Sequence, residues 1–192
     1  MKHVNIQEIV FALFLFGCTG WALETMQESI VRKKFISKGF FKGPFLLCHG
    51  IGGLCVLAVV EPFKEYPVVV FFAGGVLCTI VEFATAIFLE TCFNVKCWDY
   101  ATYPHTKWCH LQGRICLTIS LFFGAAALFL VYFYWDAALR IVRFLGGYIW
   151  FVDGGLVLLF LADAISSCKK MIKNKIAGIK IAGYAVFSKD TK

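Results

Sequence analysis

The sequence predicts an all-α protein, a polytopic transmembrane helix bundle of about five crossings with its N-terminus outside and its C-terminus cytoplasmic. Three observations carry that prediction. The 192 residues are 60% hydrophobic and 17% aromatic, with Phe alone occurring 21 times, where a soluble domain is roughly half apolar and a quarter charged. Several apolar runs are each about as long as the ~20 residues that cross a bilayer. The basic residues gather in the connections and the tail, as the orientation rule for cytoplasmic loops describes.

The first helix is expected over about 4–27, where IVFALFLFGCTGWAL is followed by Glu24, Thr25 and Glu28. Leu15-Phe16-Gly17-Cys18 has some likeness to a lipoprotein cleavage site. The bulky Phe16, the acidic Glu8 before the apolar core and the lack of a polar linker after Cys18 argue for a retained helix instead. The basic stretch VRKKFISKGFFKG follows, and Gly43-Pro44 opens a second segment over about 44–60 through the glycines of HGIGG at 49 to 53. Small residues at this density let membrane helices approach closely. The short connection EPFKEYP makes the third segment, over about 66–89, its antiparallel neighbour; that segment carries Glu82 and ends at Glu90.

A polar loop at 93–114 then interrupts the apolar chain and brings Trp98, Asp99, Tyr100, His105, His110, Gln112 and Arg114 into one connection. A fourth helix is expected over about 115–135 and a fifth over about 144–167, holding Asp153 and Asp163. Residues 1–168 thus form a single transmembrane domain, and 169–192 a basic cytoplasmic tail. In the tail, Ile172, Ile176 and Ile179 fall at helical spacing opposite Lys173, Lys175 and Lys180, as in a helix lying on the membrane surface. Fifteen of the 19 basic residues then face the cytoplasm, the outer side keeping only Lys2, Lys64, Arg140 and Arg143. Segments one and two are polar or Gly-rich at one end, so a six-helix or re-entrant arrangement is an open alternative.

The formal charge of +7 does not indicate nucleic acid, because no compact basic domain interleaves its charges with stacking aromatics. It fits anionic lipid head groups and makes the lipid bilayer the first partner. The nine cysteines are odd in number and mostly lie in apolar runs, where Cys behaves as a small hydrophobe. Cys92, Cys97, His105, Cys109 and His110 include no C-x2-C pair of the zinc-module type, so no metal and no cofactor are assigned. The chain has no GxxxxGK[ST], GxSxG or HExxH motif, and no catalytic residue is assigned.

The candidate functional residues are acids and their neighbours. A carboxylate near mid-membrane costs roughly 3 kcal/mol even on lenient insertion scales, so it faces a partner or a wet cavity. Glu82 is the most isolated acid. Trp21, Glu24, Thr25 and Glu28 share one helix face, as do Glu82 and Thr85. If Glu24 and Glu90 both approach the cytoplasmic ends, Arg114 comes within reach of either and closes the bundle on that side. Trp98, Tyr100, Tyr103 and Trp108 also read as interface anchors, which leaves Asp99, Gly113 and Arg114 to be explained.

Six motifs in order carry a family resemblance: GWALET at 20 to 25, KGFFKGP at 38 to 44, HGIGG at 49 to 53, VEFATAIFLE at 81 to 90, WDY at 98 to 100, and LQGRICL at 111 to 117 followed by SLFFG at 120 to 124. On these the chain resembles the bacterial membrane proteins described as putative ABC-transporter type IV, formerly a domain of unknown function, over about Phe11 to Phe133. It departs from the family pattern at Cys97, where Trp is usual, at His49, where Tyr is usual, and at His110, where Asn is usual. Trp21, Glu24, Gly43, Pro44, Glu82, Glu90, Trp98, Asp99, Tyr100, Gly113 and Arg114 stand in place. The resemblance implies a permease-like, multi-pass protein of the bacterial plasma membrane, working with a separate ATPase subunit and as a homo-oligomer. Two other readings remain: a membrane enzyme acting on lipid or a small polar substrate through Glu24, Glu90, Asp99 and Arg114, and a non-catalytic accessory or sensory protein.

Overall fold

The computed structural model describes residues 5–102, 106, 108–177 and 181–182; Tyr103, His105, Lys107, Ile179 and Lys180 lie outside them. The protein is mostly helical. Helices α1 (Ile6–Arg32), α2 (Leu47–Val59), α3 (Pro67–Phe93), α4 (Leu117–Phe129), α5 (Trp135–Leu145) and α6 (Ile149–Ile176) follow in chain order, with a π-helical turn at Leu130–Tyr134 joining α4 to α5. By length and hydropathy, three helical stretches suit a membrane crossing: α1, α3 and the 60-residue run Leu117–Ile176. Their outer faces are apolar. Val68, Phe72, Val76 and Ile80 on α3 and Phe151, Leu158 and Leu159 on α6 are exposed, a surface that suits hydrocarbon and that soluble proteins avoid at this extent.

Local chemistry fixes the helix ends. The Asn5 N–H donates to the Glu8 carboxylate at 3.0 Å, a first-turn cap for α1. Lys33 (φ 54) stops α1 and Asn94 (φ 57) stops α3, both in the left-handed conformation that closes helices. Pro67 sits in the first turn of α3, where its missing N–H costs nothing. The run from Leu117 breaks at Gly146, whose φ of 51° and ψ of −128° favour glycine. The chain reverses there: Tyr132 on the outgoing arm bonds the Lys64 carbonyl, whereas on the returning arm Lys175 Nζ donates to the Thr91 and Cys92 carbonyls at 2.8 and 3.0 Å.

Two differences from the expected segments matter. The second segment is helical for only 13 residues, about 20 Å at 1.5 Å per residue, too short to cross a ~30 Å hydrocarbon core. The stretch before it is irregular and packs into the bundle, with Phe40, Phe41, Phe45 and Leu46 buried. The second segment is thus an irregular stretch, 33–46, followed by the short helix α2, and the two run antiparallel to α1. The helix expected to end at 167 continues to Ile176, so the first tail residues prolong α6. Beyond it, Ile181–Ala182 pairs in parallel with Val95–Lys96.

Irregular backbone inside a bundle requires partners for its N–H groups, and α1 and α6 supply them. Ile36 N–H donates to Ser29 Oγ at 3.0 Å and Lys38 N–H to Thr25 Oγ1 at 3.1 Å. Leu46 N–H donates to the Gly17 carbonyl at 3.0 Å. Asp163 of α6 takes the next two amides, accepting from Lys42 N–H at 3.2 Å and Gly43 N–H at 2.8 Å, and also from Ser167 Oγ at 3.0 Å.

One apolar core centres on Phe16, Val56, Val70 and Leu130, the other on Phe14, Phe41, Phe45 and Met171. Helices α3 and α4 approach closely. A Cβ on Gly124 would stand 2.7 Å from the Phe71 carbonyl oxygen, and one on Gly75 would stand 2.9 Å from the Ser120 carbonyl oxygen, so glycine is required at both for this approach.

Candidate functional site

Where α1, α2, α3 and α4 splay apart they enclose a cavity of about 620 Å³, within the ~300–1,000 Å³ typical of small-molecule sites. Its wall is divided. One part carries Glu24, Glu28, Lys38, His49, Glu82 and Tyr100, and another carries Phe16, Val56, Ala127, Phe129 and Leu130. The π-helical turn contributes Leu130 and Tyr134 to the lining. Such turns frequently interrupt helices at functional sites. Here the Tyr134 hydroxyl is hydrogen-bonded to Thr19 of α1.

The polar wall is assembled from five separate stretches of chain. Glu28 is buried and pairs with Arg32 one helical turn on. Lys38 comes from the irregular segment, is buried, and lies 3.7 Å from Glu28 and 3.9 Å from Glu24. His49 Nε2 of α2 stands 3.4 Å from Glu24. Glu82 of α3 is 8% exposed and accepts the Tyr100 hydroxyl at 2.6 Å. A buried acid beside a buried base and a phenol, at the edge of a cavity, offers hydrogen-bonding groups of both signs to a polar substrate part.

The loop holds Tyr100 and Trp98 against this cavity. Trp98 Nε1 donates to the Arg114 carbonyl at 2.8 Å, and Tyr100 N–H donates to the Gly113 carbonyl at 2.9 Å. The hairpin between β2 (His110–Leu111) and β3 (Ile115–Cys116) turns through Gln112 (φ 54) and Gly113 (φ 71). A Cβ on Gly113 would collide with the Asp99 carboxylate. His110 Nδ1 accepts the Gly113 N–H at 3.1 Å, a role within the turn. Arg114 grips Glu90 through Nε and Nη2, the closest approach being 2.6 Å. Asp99 meets Lys96 Nζ at 2.6 Å and the Ala101 N–H at 3.0 Å. Partial burial alone raises the Asp99 carboxyl, but the Lys96 ammonium and the Ala101 amide together hold it below the usual carboxylate range.

The residues singled out from sequence thus fall into three places. Glu24, Glu82, Trp98 and Tyr100 line the cavity. Glu90, Asp99, Gly113 and Arg114 build the loop that presents two of them. Trp21 does neither, its Nε1 donating to Ser37 Oγ at 3.1 Å on the flank of the irregular segment. Of the two acids expected within reach of Arg114, Glu90 takes it, while Glu24 pairs with Lys38 and His49. Asp153 is buried in α6, and its carboxyl oxygens find no hydrogen-bond partner among the described residues. Among the described residues, no three His, Cys, Asp or Glu side chains form a group that could hold a metal; His105 lies outside them.

Glu28 was placed on the face of Glu24 by its spacing, but sequence reasoning missed Lys38 as a site residue and Asp163 as an anchor. Lys38 stood in a basic connection, but that connection reads KGFFKGP, and two phenylalanines between glycines are too apolar for a loop in water. That was the available signal. No spacing signal links Asp163 to the amides at 42 and 43 that it accepts.

A family model described as putative ABC-transporter type IV matches residues 11–168. The match extends into α6, beyond the stretch that carried the motif resemblance. No curated protein and no solved structure matches the chain.

Proposed function

The chain belongs to the putative ABC-transporter type IV family, and from that premise we propose that it is a permease-like membrane protein whose substrate site is the cavity between α1, α2, α3 and α4. The observation that carries this reading is the divided wall of the cavity: Glu24, Lys38, His49, Glu82 and Tyr100 in one part, and Phe16, Val56, Phe129 and Leu130 in another. Such a wall suits a small amphipathic molecule whose polar group meets the acids and whose apolar body lies along the aromatic and branched side chains. The chain crosses a bacterial plasma membrane about five times, with its N-terminus outside and the loop at 93–114 and the tail in the cytoplasm. The count of basic residues on the two sides supports that orientation. A separate ATPase subunit supplies the energy, since the chain carries no phosphate-binding loop of its own. Two copies build the complete pathway between gates.

The alternative of a membrane enzyme finds less support. Of its four residues, only Glu24 lines the cavity, while Arg114 is engaged by Glu90 and Asp99 by Lys96. The test is purification from native membranes in mild detergent, with mass spectrometry of what remains bound. The expected result is a nucleotide-binding ATPase in fixed ratio to the chain, together with an amphipathic small molecule retained by the wild type and lost from Glu82→Gln. Self-association with bulk lipid alone would overturn the permease reading.

A further inference from the structure

All nine cysteines are free thiols, and two of them meet. Cys109 lies just before β2 and Cys116 ends β3, so the hairpin folds them together. Their sulfurs stand 2.9 Å apart, against about 2.05 Å in a disulfide. The neighbours are polar. Cys109 Sγ is 3.6 Å from the Thr106 carbonyl oxygen and 3.4 Å from Thr118 Oγ1, and it faces the first-turn amides of α4. Cys116 is 2% exposed. We infer that Cys109 and Cys116 form a thiol–disulfide exchange site, a dithiol that closes to an intramolecular disulfide by reaction with a small-molecule disulfide.

The two thiols have different parts to play. The Cys109 thiol is held down to about 7, first by the hydrogen bond from Cys116 and then by Thr118 and the α4 amides, the environment that makes a cysteine reactive. Cys109 is therefore the attacking thiolate and buried Cys116 the resolving thiol. In the first step Cys109 Sγ attacks one sulfur of R–S–S–R, forming Cys109–S–S–R and expelling RS⁻. That thiolate takes up the proton lost by Cys109 and leaves as RSH. In the second step Cys116 gives up its proton and attacks Cys109 Sγ, forming the protein disulfide and releasing the second R group as RSH. Two protein thiols are oxidised and one small disulfide is reduced to two thiols. Thr106, whose carbonyl lies against Cys109, also lines the cavity, so the new bond ties the loop beside the cavity to the start of α4.

The experiment uses the full chain in detergent, exposed to oxidised glutathione at pH 7, quenched with an alkylating reagent and mapped by peptide mass spectrometry. Cys109 and Cys116 should lose alkylation together and appear as one linked peptide pair, before the exposed Cys92 reacts. At pH 7 the larger thiolate fraction, offset by lower intrinsic nucleophilicity, gives Cys109 a rate advantage of about fivefold over an ordinary thiol. Cys116→Ser should stop at the mixed disulfide on Cys109, and Cys109→Ser should leave Cys116 alkylated as in the untreated protein. A stable glutathione adduct on wild-type Cys109 with no linked pair would overturn the inference, as would another cysteine pair closing first.

Discussion

Glu24 and Glu82 belong to helices that bring them to the same cavity, whereas Glu90, at the end of α3, and Asp99 and Arg114, in the loop after it, are engaged in ion pairs that fasten that loop. Both sets are carboxylates with basic or phenolic partners at the end of an apolar bundle. They differ in what their partners leave over. The loop set is closed: Arg114 holds Glu90 with two nitrogens, and Lys96 and the Ala101 amide cover Asp99. The cavity set takes its partners from several elements, Lys38 from the irregular segment, His49 from α2 and Tyr100 from the loop, and its side chains still line open space. Pairing that fills its surroundings makes a scaffold, and pairing around a void makes a site.

If that distinction holds, removing what anchors the irregular segment should damage both stability and the site. Asp163→Ala deletes the acceptor of two backbone amides and one hydroxyl. At roughly 1 kcal/mol for each partly exposed bond, it should cost about 3 kcal/mol, read as a lower Tm in detergent, with Asp163→Asn losing less. An unchanged Tm would mean that Phe40, Phe41 and Phe45 hold the segment without it. Next in size is a pure site effect. Glu82→Gln keeps the size of the side chain and removes its ionisable carboxyl. Flux of the retained small molecule into reconstituted vesicles should fall more than about tenfold, the equivalent of about 1.4 kcal/mol, with Tm unchanged. Loss of folding instead would move Glu82 to the scaffold side of the comparison.

Much of this was legible in the chain. The apolar runs marked the long helices, and the rarity of an acid inside one of them marked Glu82 before its partner was known. The cluster Trp98, Asp99, Tyr100, Gly113, Arg114 was visible as a polar island. Its division of labour was not, because which of five neighbouring residues face a cavity depends on a hairpin turn set by two left-handed residues, Gln112 and Gly113. The irregular packing of residues 33–46 was not legible. Their Gly and Pro residues permit both a helix start and an irregular entry, and the choice rests on hydrogen-bond acceptors on α1 and α6 that are remote in sequence. Lys38 was counted as a cytoplasmic charge for the same reason.

Turning to the scaffold, Gly113→Ala puts a methyl group against Asp99 in a left-handed backbone. The conformational cost alone is about 1–2 kcal/mol. The expected result is a lower Tm together with weaker protection of Trp98 from a collisional quencher, because the Tyr100 amide and the Trp98 indole both bond to this turn. If Tm falls while the protection of Trp98 is unchanged, the loop does not position the cavity's aromatic residues, and the two clusters are independent.

The smallest effect is a pH dependence confined to the loop. The Asp99 carboxyl is held below its ordinary value in the folded protein by Lys96 and the Ala101 amide. A group depressed on folding contributes stability that is fully present above its unfolded value, about 3.9 for Asp, and that is lost as the pH falls through the folded value. Because Asp99 and Lys96 are both about a third exposed, screening reduces this to on the order of a few tenths of a kcal/mol. Hydrogen exchange of the Ala101 and Tyr100 amides, compared between wild type and Asp99→Asn from pH 5 to 3, isolates it. The wild type should lose protection toward pH 3, while the variant should be less protected at pH 5 and flat below. Parallel curves would show that Asp99 holds the turn by its shape alone, and the contrast between a charged scaffold and a charged site would then rest on Arg114 and Glu90.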